Sequence, residues 1–285
     1  MALHPDARIS EFRHLSSYNW IDLPTPTIAV PGSPAKWSPP NGPIRLSKDT
    51  GYFYVAQNVA RHPESPLEPL FRSLLLTEPS VDLRSIDVVT DRNNIRKLLS
   101  FVDPGTARGG AEDFVIKVEV VGETALFSRE EAEVRQYIAP SEFRGYGHEF
   151  EKVYTKEQIQ GSTGHYRIVE YRFGGLKFLV RNEVDGYVPC RWKVSCHNFG
   201  GIFQSPVIED MTESMKSWEQ DNEDILKKLA AVIAKILEVA RRSDGPVQVK
   251  YSRTGHQLVF SKIDSGKMLP DDLYSKWNPR TETED

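Results

Sequence analysis

Residues 165–188 read HYRIVEYRFGGLKFLVRNEVDGYV. Two runs rich in β-branched and aromatic residues flank Gly174-Gly175, a dipeptide suited to a two-residue hairpin turn because both positions tolerate positive φ. The second run begins with Phe178, Leu179 and Val180, as a buried strand does, and then places Glu183 and Asp185 two residues apart. Side chains alternate faces along a strand, so both carboxylates are predicted to share one face. Two neighbouring anions repel, and burying them costs several kcal/mol unless a cation or a set of donors compensates. That face is therefore wet or carries something positive.

Outward from this hairpin, SIDVVT (85–90) reads as a strand, and DRNNIRKLLSFVDPG (91–105) as a helix stopped by Asp103-Pro104-Gly105. DFVIKVEVVG (113–122) alternates like a strand, with TALFSR (124–129) as its hairpin partner. SREEAEVRQYI (128–138) carries a capping box, Ser128 with Glu131 three residues later, and predicts a short helix. SPLEPLFRSLLL (65–76) has apolar residues at helical spacing, and residues 212–242 predict one long amphipathic helix with Ile225, Leu229, Ile233, Ile236 and Ala240 on its buried face. VQVKYS and HQLVFSKI close the chain as a hairpin turning near Thr254-Gly255. Residues 23–43 hold seven prolines around Thr27–Val30 and cannot be helical, yet Ile28, Val30 and Trp37 call for burial. The expected organisation is an extended proline-rich arm over residues 1–45, packed on a single domain over residues 46–285. The fold class is α/β (α+β), a central mixed sheet flanked by helices.

With 285 residues the chain can bury a sizeable core, and 39% hydrophobic with 27% charged residues suits a globular protein. A formal net charge of −4 provides no global field toward nucleic acid, so any phosphate-binding surface must be local. The N-terminal residues lack a signal-peptide core, which leads to the expectation of an intracellular protein, cytoplasmic or nuclear. Cys190 and Cys196 are too few for a disulfide framework, and with His197 they make a poor zinc set. No Gly-x-x-x-x-Gly-Lys-Ser/Thr loop occurs, GYGHEF breaks the dinucleotide fingerprint, and GSTGH has the wrong spacing for a nucleophile elbow.

A second acidic pair, Glu149 and Glu151 in RGYGHEFEKVY (144–154), repeats the two-residue spacing and is expected on a neighbouring strand. Mg²⁺ and Mn²⁺ prefer oxygen ligands and often bridge to phosphates, so Glu151, Glu183 and Asp185 are the candidate metal ligands. Arg92 and Arg96 at a strand-to-helix junction suit an anion. Residues 165–193 interleave Arg167, Arg172, Lys177, Arg181, Arg191 and Lys193 with tyrosines, as a nucleic-acid surface does. Arg92, Arg96, Arg181 and Glu149 are the candidate substrate-binding residues.

As a set these stretches resemble the eukaryotic decapping exonuclease family (DXO-type), whose fold is related to the PD-(D/E)XK nucleases. VVTDRNNIRKLLSF resembles the segment in which an arginine before a Leu-rich helix contacts phosphate, which implies that role for Arg92. GHEFE (147–151) resembles its Gly-aromatic-x-aromatic-Glu motif, with Glu151 in the metal position, and NEVDGY its Glu-x-Asp motif, with Glu183 and Asp185. The family's next strand carries Glu-x-Lys. Here Lys193 stands for the lysine that helps activate water, while Arg191 stands where the glutamate belongs. The resemblance implies a Mg²⁺- or Mn²⁺-dependent nuclease acting on RNA 5′ ends, with catalytic residues Glu183, Asp185 and Lys193; the substituted glutamate implies impaired turnover. The alternative is a catalytically inactive descendant that binds RNA or a protein partner.

From about Ser16 to Trp277 the chain is also similar to fungal proteins labelled geranylgeranyl pyrophosphate synthetase. Prenyl chain elongation needs aspartate-rich helices that hold a diphosphate through Mg²⁺. The nearest candidate, Asp271-Asp272 before Leu273, lacks the third aspartate, so that activity is rejected.

Overall fold

Val88 and Val89, Phe178 and Leu179, Leu126 and Phe127 are all buried, and within each pair one side chain joins one apolar cluster and its neighbour joins another. Strands apolar on both faces must be covered on both faces, and that requirement organises the molecule. The computed structural model describes residues 7–106, 110–186, 192–195, 198–199, 201–203, 207–264 and 266–277.

Among the described residues, nine strands form the central mixed sheet. They are β1 (Ser10–Ile21), β2 (Thr27–Ala29), β3 (Val88–Asp91), β4 (Phe114–Val121), β5 (Thr124–Glu130), β6 (Ser162–Phe173), β7 (Leu176–Glu183), β8 (Val247–Ser252) and β9 (Gln257–Lys262). Their spatial order is β9-β8-β4-β5-β3-β7-β6-β1-β2. The short β3 is parallel to both β5 and β7, and the other pairs are antiparallel. One face is covered by α3 (Arg92–Val102) and α6 (Glu223–Arg242), with Leu98, Leu229 and Ile233 against Ile116, Phe127 and Phe178. The other is covered by α2 (Glu68–Thr77), which follows the short α1 (Gln57–Arg61), and by α7 (Asp271–Tyr274), with Leu70, Phe71 and Leu273 against Val89, Leu126 and Leu179.

The β6–β7 hairpin forms as the sequence predicts. Phe173 pairs with Leu176, and Gly174 and Gly175 have φ of +59° and +80°. A Cβ on Gly174 would also lie 2.6 Å from Ala230 Cβ, so the turn tucks beneath α6 in a way only glycine allows. The β3–α3 junction, the β4–β5 hairpin and the closing β8–β9 hairpin also agree with expectation. Ile28 and Val30 pack against the core, and Trp37 meets Phe150 and Tyr154. Asp271 and Asp272 pair with Lys267 and Arg72, respectively, and so serve as surface ion pairs at the start of a four-residue helix.

Two helix predictions are corrected. Residues 128–138 are not helical: Ser128 lies in β5, and Arg135–Ile138 pairs with Gly51–Tyr54. Glu131 binds Lys97 and Arg129 instead of capping a helix, because pairing of β5 on both edges outweighs a local capping pattern. Residues 212–242 form two helices, α5 (Thr212–Asp221) and α6, broken at Asn222. The Asn222 side-chain amide donates to the Trp218 carbonyl at 2.8 Å, closing α5 in place of continuing it. Among the described residues no helix is long and apolar enough to cross a membrane.

Candidate functional site

Parallel strands place their C-terminal ends together, and ligand sites of open α/β sheets gather there. Here β3 ends at Asp91 and hands over to Arg92, β7 ends at Glu183, and β5 ends beside Arg129. Arg92, Arg96, Arg129, Tyr166, Asn182 and Glu183 line a cleft of about 200 Å³ at this edge.

Arg181 holds the floor of that cleft. Its side chain is 1% exposed, and its guanidinium grips Asp91 with two bonds, 2.6 Å from Nε to Oδ1 and 2.9 Å from Nη2 to Oδ2. Nη1 donates to the Pro66 carbonyl at 2.8 Å and to the Tyr18 hydroxyl at 3.1 Å. The expectation that Arg181 contacts substrate is corrected: its donors are spent inside the protein, and it positions Asp91 and the residue that follows. Asp91 sits at the N-cap of α3 yet makes no capping bond, because Arg181 takes its carboxylate. Arg92 and Arg96 are exposed on the first turns of α3 and make no ion pair among the described residues.

The strand expected for Glu149 and Glu151 is instead helix α4 (Gly147–Tyr154). Its start is capped from a distance: the buried Asp49 accepts the Glu149 N–H at 2.9 Å and the His148 N–H at 3.3 Å. On a helix, residues two apart point to nearly opposite sides. Glu151 therefore faces a cavity of about 330 Å³ together with Glu183 and Asp185, while Glu149 lies outside it and pairs with Lys152 at 3.3 Å. This corrects the predicted shared face, and it leaves Glu149, a candidate substrate contact, outside the cavity. Asp185 also lies two residues beyond the end of β7, in a bend, so it reaches the cavity from the loop.

The cavity is electrostatically tense. Burial, then Asp185, Glu183 and Asp49, push the Glu151 carboxyl up to about 7. Burial and Asp185 raise Glu183, offset in part by the nearby Tyr166 hydroxyl and by Arg129 and Arg92. Tyr166 is in turn fixed, stacked on Tyr18 at 5.2 Å and donating to Gln57 Oε1 at 3.0 Å. Gly164 leaves room for this arrangement, since a Cβ there would collide with the Gln57 amide oxygen and stand 3.3 Å from Glu183 Oε1. The three carboxylates, each raised or raising another, line one cavity, and carboxylate oxygens are the donor type that a hard divalent cation takes. Among the described residues, no three His, Cys, Asp or Glu side chains are placed so that they could hold a metal ion, so these three share a cavity without converging on one point.

The raised Glu151 predicts a stability signature. Its folded pKa of about 7 exceeds the ordinary 4.5, so the folded state holds the proton more tightly. Stability from this group is complete below about pH 4.5 and is lost as pH rises through about 7. Glu151→Gln removes that loss. After discounting for solvent around a half-buried side chain, the variant is expected to exceed the parent by about 1–2 kcal/mol at pH 8, with the difference closing near pH 4, in urea titrations.

Other candidates fall elsewhere. Lys193 lies on the strand Trp192–Ser195, opposite Glu209, but its side chain lies outside the described residues, as do Arg191, Cys190, Cys196 and His197. Among the other acids of this region, Glu170 is taken up by Arg13 at 2.6 Å and Lys177 at 3.0 Å, and Asp210 accepts the Thr212 N–H at 2.8 Å. Among the described residues of the basic strip, Arg181 is buried, and Lys177, Arg172 and Arg181 are paired with Glu170, Glu11 and Asp91. Asp49, Gln57, Asp91 and Arg129 escape the sequence reading. Only Asp91, at the strand-to-helix junction beside Arg92, carried a local signal that could have found it.

Comparison with solved structures places this architecture. The chain superposes on Candida albicans Rai1 in complex with pU5-Mn2+ with a TM-score of 0.66 and 14% identity, over 98% of this chain and 99% of that one. S. pombe Rai1 in complex with 3'-FADP matches at 0.60 and 13%, over 92% and 96%. K. lactis Dxo1 in complex with manganese matches at 0.56 and 9%, over 92% and 93%. The fold is thus the DXO-type fold. No curated protein matches the chain. The sequence pattern of one family covers residues 6–193, and the chain accordingly belongs to that family, the one described as a domain of unknown function (DUF8563).

Proposed function

We propose that this chain is a DXO-type nuclease-like protein that receives an RNA 5′ end and a divalent cation, Mg²⁺ or Mn²⁺, at the C-terminal edge of β3 and β7. The observation that carries the proposal is the meeting of Glu151, Glu183 and Asp185, from a helix, a strand end and a loop, around one cavity. Support for the ligand classes comes from the neighbours, since the Candida albicans protein holds pU5 with Mn2+ and the K. lactis protein holds manganese.

Glu151, Glu183 and Asp185 would hold the cation, which when bound supplies Lewis acidity toward a phosphate oxygen. Tyr166 stands opposite Glu183 in the strand pairing and lines the same cleft. Arg92 and Arg96 neutralise a neighbouring phosphate, and the uncapped amides at the start of α3 add donors aimed at the same anion. Arg181 keeps this junction in place through Asp91. Lys193 assists removal of a proton from the attacking water. Arg191 in place of a ligand carboxylate opposes cation binding, so turnover is expected to be low.

The test is incubation with 5′-triphosphate and capped RNAs in Mn²⁺, beside Asp185→Ala. Slow cleavage lost in Asp185→Ala, with RNA binding retained and weakening as salt rises, is the expected result. RNA binding without any cleavage would assign the non-catalytic alternative. Neither binding nor cleavage would overturn the RNA reading and leave a protein-binding role.

A further inference from the structure

A second cavity, of about 800 Å³, opens between α3 and one face of β7, β6 and β1, a size that suits a small-molecule ligand. Its walls all grade in one direction. Along α3 the lining side chains are Arg92, Ile95, Arg96 and Leu99, a single helix face that turns from charged to apolar over about 10 Å. β7 runs parallel to β3, β6 antiparallel to β7, and β1 antiparallel to β6. Asn182, His165 and Ser17 therefore stand at the same edge as Arg92, while Val180, Val169 and Phe12 lie farther in. His14 and Arg167 come between the two ends. Among the described residues no acidic side chain lines the cavity.

The two ends differ in what they leave unused. At the polar end, Arg92 and Arg96 are exposed and one helical turn apart. His165 is 4% exposed and donates its Nδ1–H to Asn19 Oδ1 at 2.9 Å, an oxygen identified by also accepting the Ser33 N–H at 2.8 Å. Its Nε2 is then an acceptor, and it is buried with no partner among the described residues. At the apolar end, a β-bulge with Glu11 at φ +52° re-aims Phe12 into the groove, where the ring is 60% exposed. Met215 of α5 is exposed at the same groove. Large apolar groups left in water gain nothing from folding.

Cations at one end, with apolar walls leading away from them, select a molecule with an anionic head and a hydrocarbon tail. Two guanidinium groups match the nearly two charges of a phosphomonoester better than the single charge of a carboxylate, and a phosphate that keeps its second proton can donate it to His165 Nε2. We propose that the groove binds a single-chain lipid phosphate, with its head on Arg92 and Arg96 and its tail along Leu99, Val169 and Phe12. The proposal uses no carboxylate of the site above and does not rest on the RNA reading. Because Arg92 and Arg96 line both the groove and the cleft at Glu183, the lipid and an RNA 5′ end should compete.

The test titrates the full chain, without RNA, with inorganic phosphate, octyl phosphate, dodecyl phosphate and dodecanoate by isothermal calorimetry, each below its micelle-forming concentration. Affinity should rise from inorganic to dodecyl phosphate by about three- to fourfold for each methylene the groove buries, and dodecanoate should bind more weakly than dodecyl phosphate. This dependence is read on the parent chain and holds whether or not any variant folds. Phe12→Asp sets an anion on the exposed apolar wall and should weaken dodecyl phosphate about tenfold at an unchanged melting temperature, whereas Phe12→Leu should keep the parent's affinity. Dodecyl phosphate binding no tighter than inorganic phosphate overturns the groove assignment and leaves an anion on the arginines alone. Dodecanoate binding as tightly as dodecyl phosphate overturns the phosphate head. Phosphatidate vesicles bound as tightly as the monomer, and equally by Phe12→Asp, overturn the groove in favour of a membrane surface.

Discussion

Asp91→Ala is expected to cost about 3–5 kcal/mol of folding stability, because it strands the fully buried Arg181 guanidinium without a counter-charge. The remaining partners, the Pro66 carbonyl and the Tyr18 hydroxyl, are neutral and cannot replace a carboxylate bound through two nitrogens. Urea denaturation measures the loss directly. Asp91→Asn should cost less, since an amide oxygen still accepts one bond. The double variant Asp91→Leu with Arg181→Met should recover most of the loss, because removing both charges also removes the burial penalty of each. A single-variant cost under about 1 kcal/mol would mean that the pair contributes no more than a surface one. The same variant should weaken RNA binding, since Arg92 follows Asp91 directly and depends on it for its place at the start of α3.

Leu229→Ala is expected to cost about 2–5 kcal/mol, the range for a buried leucine replaced with a cavity left behind. Leu229 is 3% exposed and belongs to the cluster that joins α6 to β4, β5 and β8. Only stability should change: at temperatures where the variant remains folded, RNA affinity should equal the parent's, because α6 is on neither cavity wall of the proposed site. Lost binding with an unaltered melting curve would instead identify this face as an interface. With Asp91→Ala the two variants form a useful pair, one destabilising through the site's foundations and the other through the core alone.

Hairpins and short strand-to-helix turns were legible in the sequence because their determinants are adjacent. Gly174-Gly175 specifies its turn through two positive φ values, and the Val88–Asp91 strand hands over to α3 within a few residues. Glu151, Glu183 and Asp185 were read as residue types at motif spacing, and all three line one cavity. Their geometry was not legible. The sequence read GHEFE as strand because i and i+2 carboxylates fit one, but Asp49, about a hundred residues earlier in the chain, caps this segment as a helix and turns Glu149 away. Ser128 and Glu131 wrote a capping box that pairing of β5 on both edges overrode. Arg181 read as an exposed cation in a basic strip, yet Asp91, ninety residues earlier, draws it inside. Local backbone preferences and residue chemistry thus come from the sequence alone, whereas helix caps, buried ion pairs and cavity walls join distant residues whose desolvation only the assembled sheet imposes.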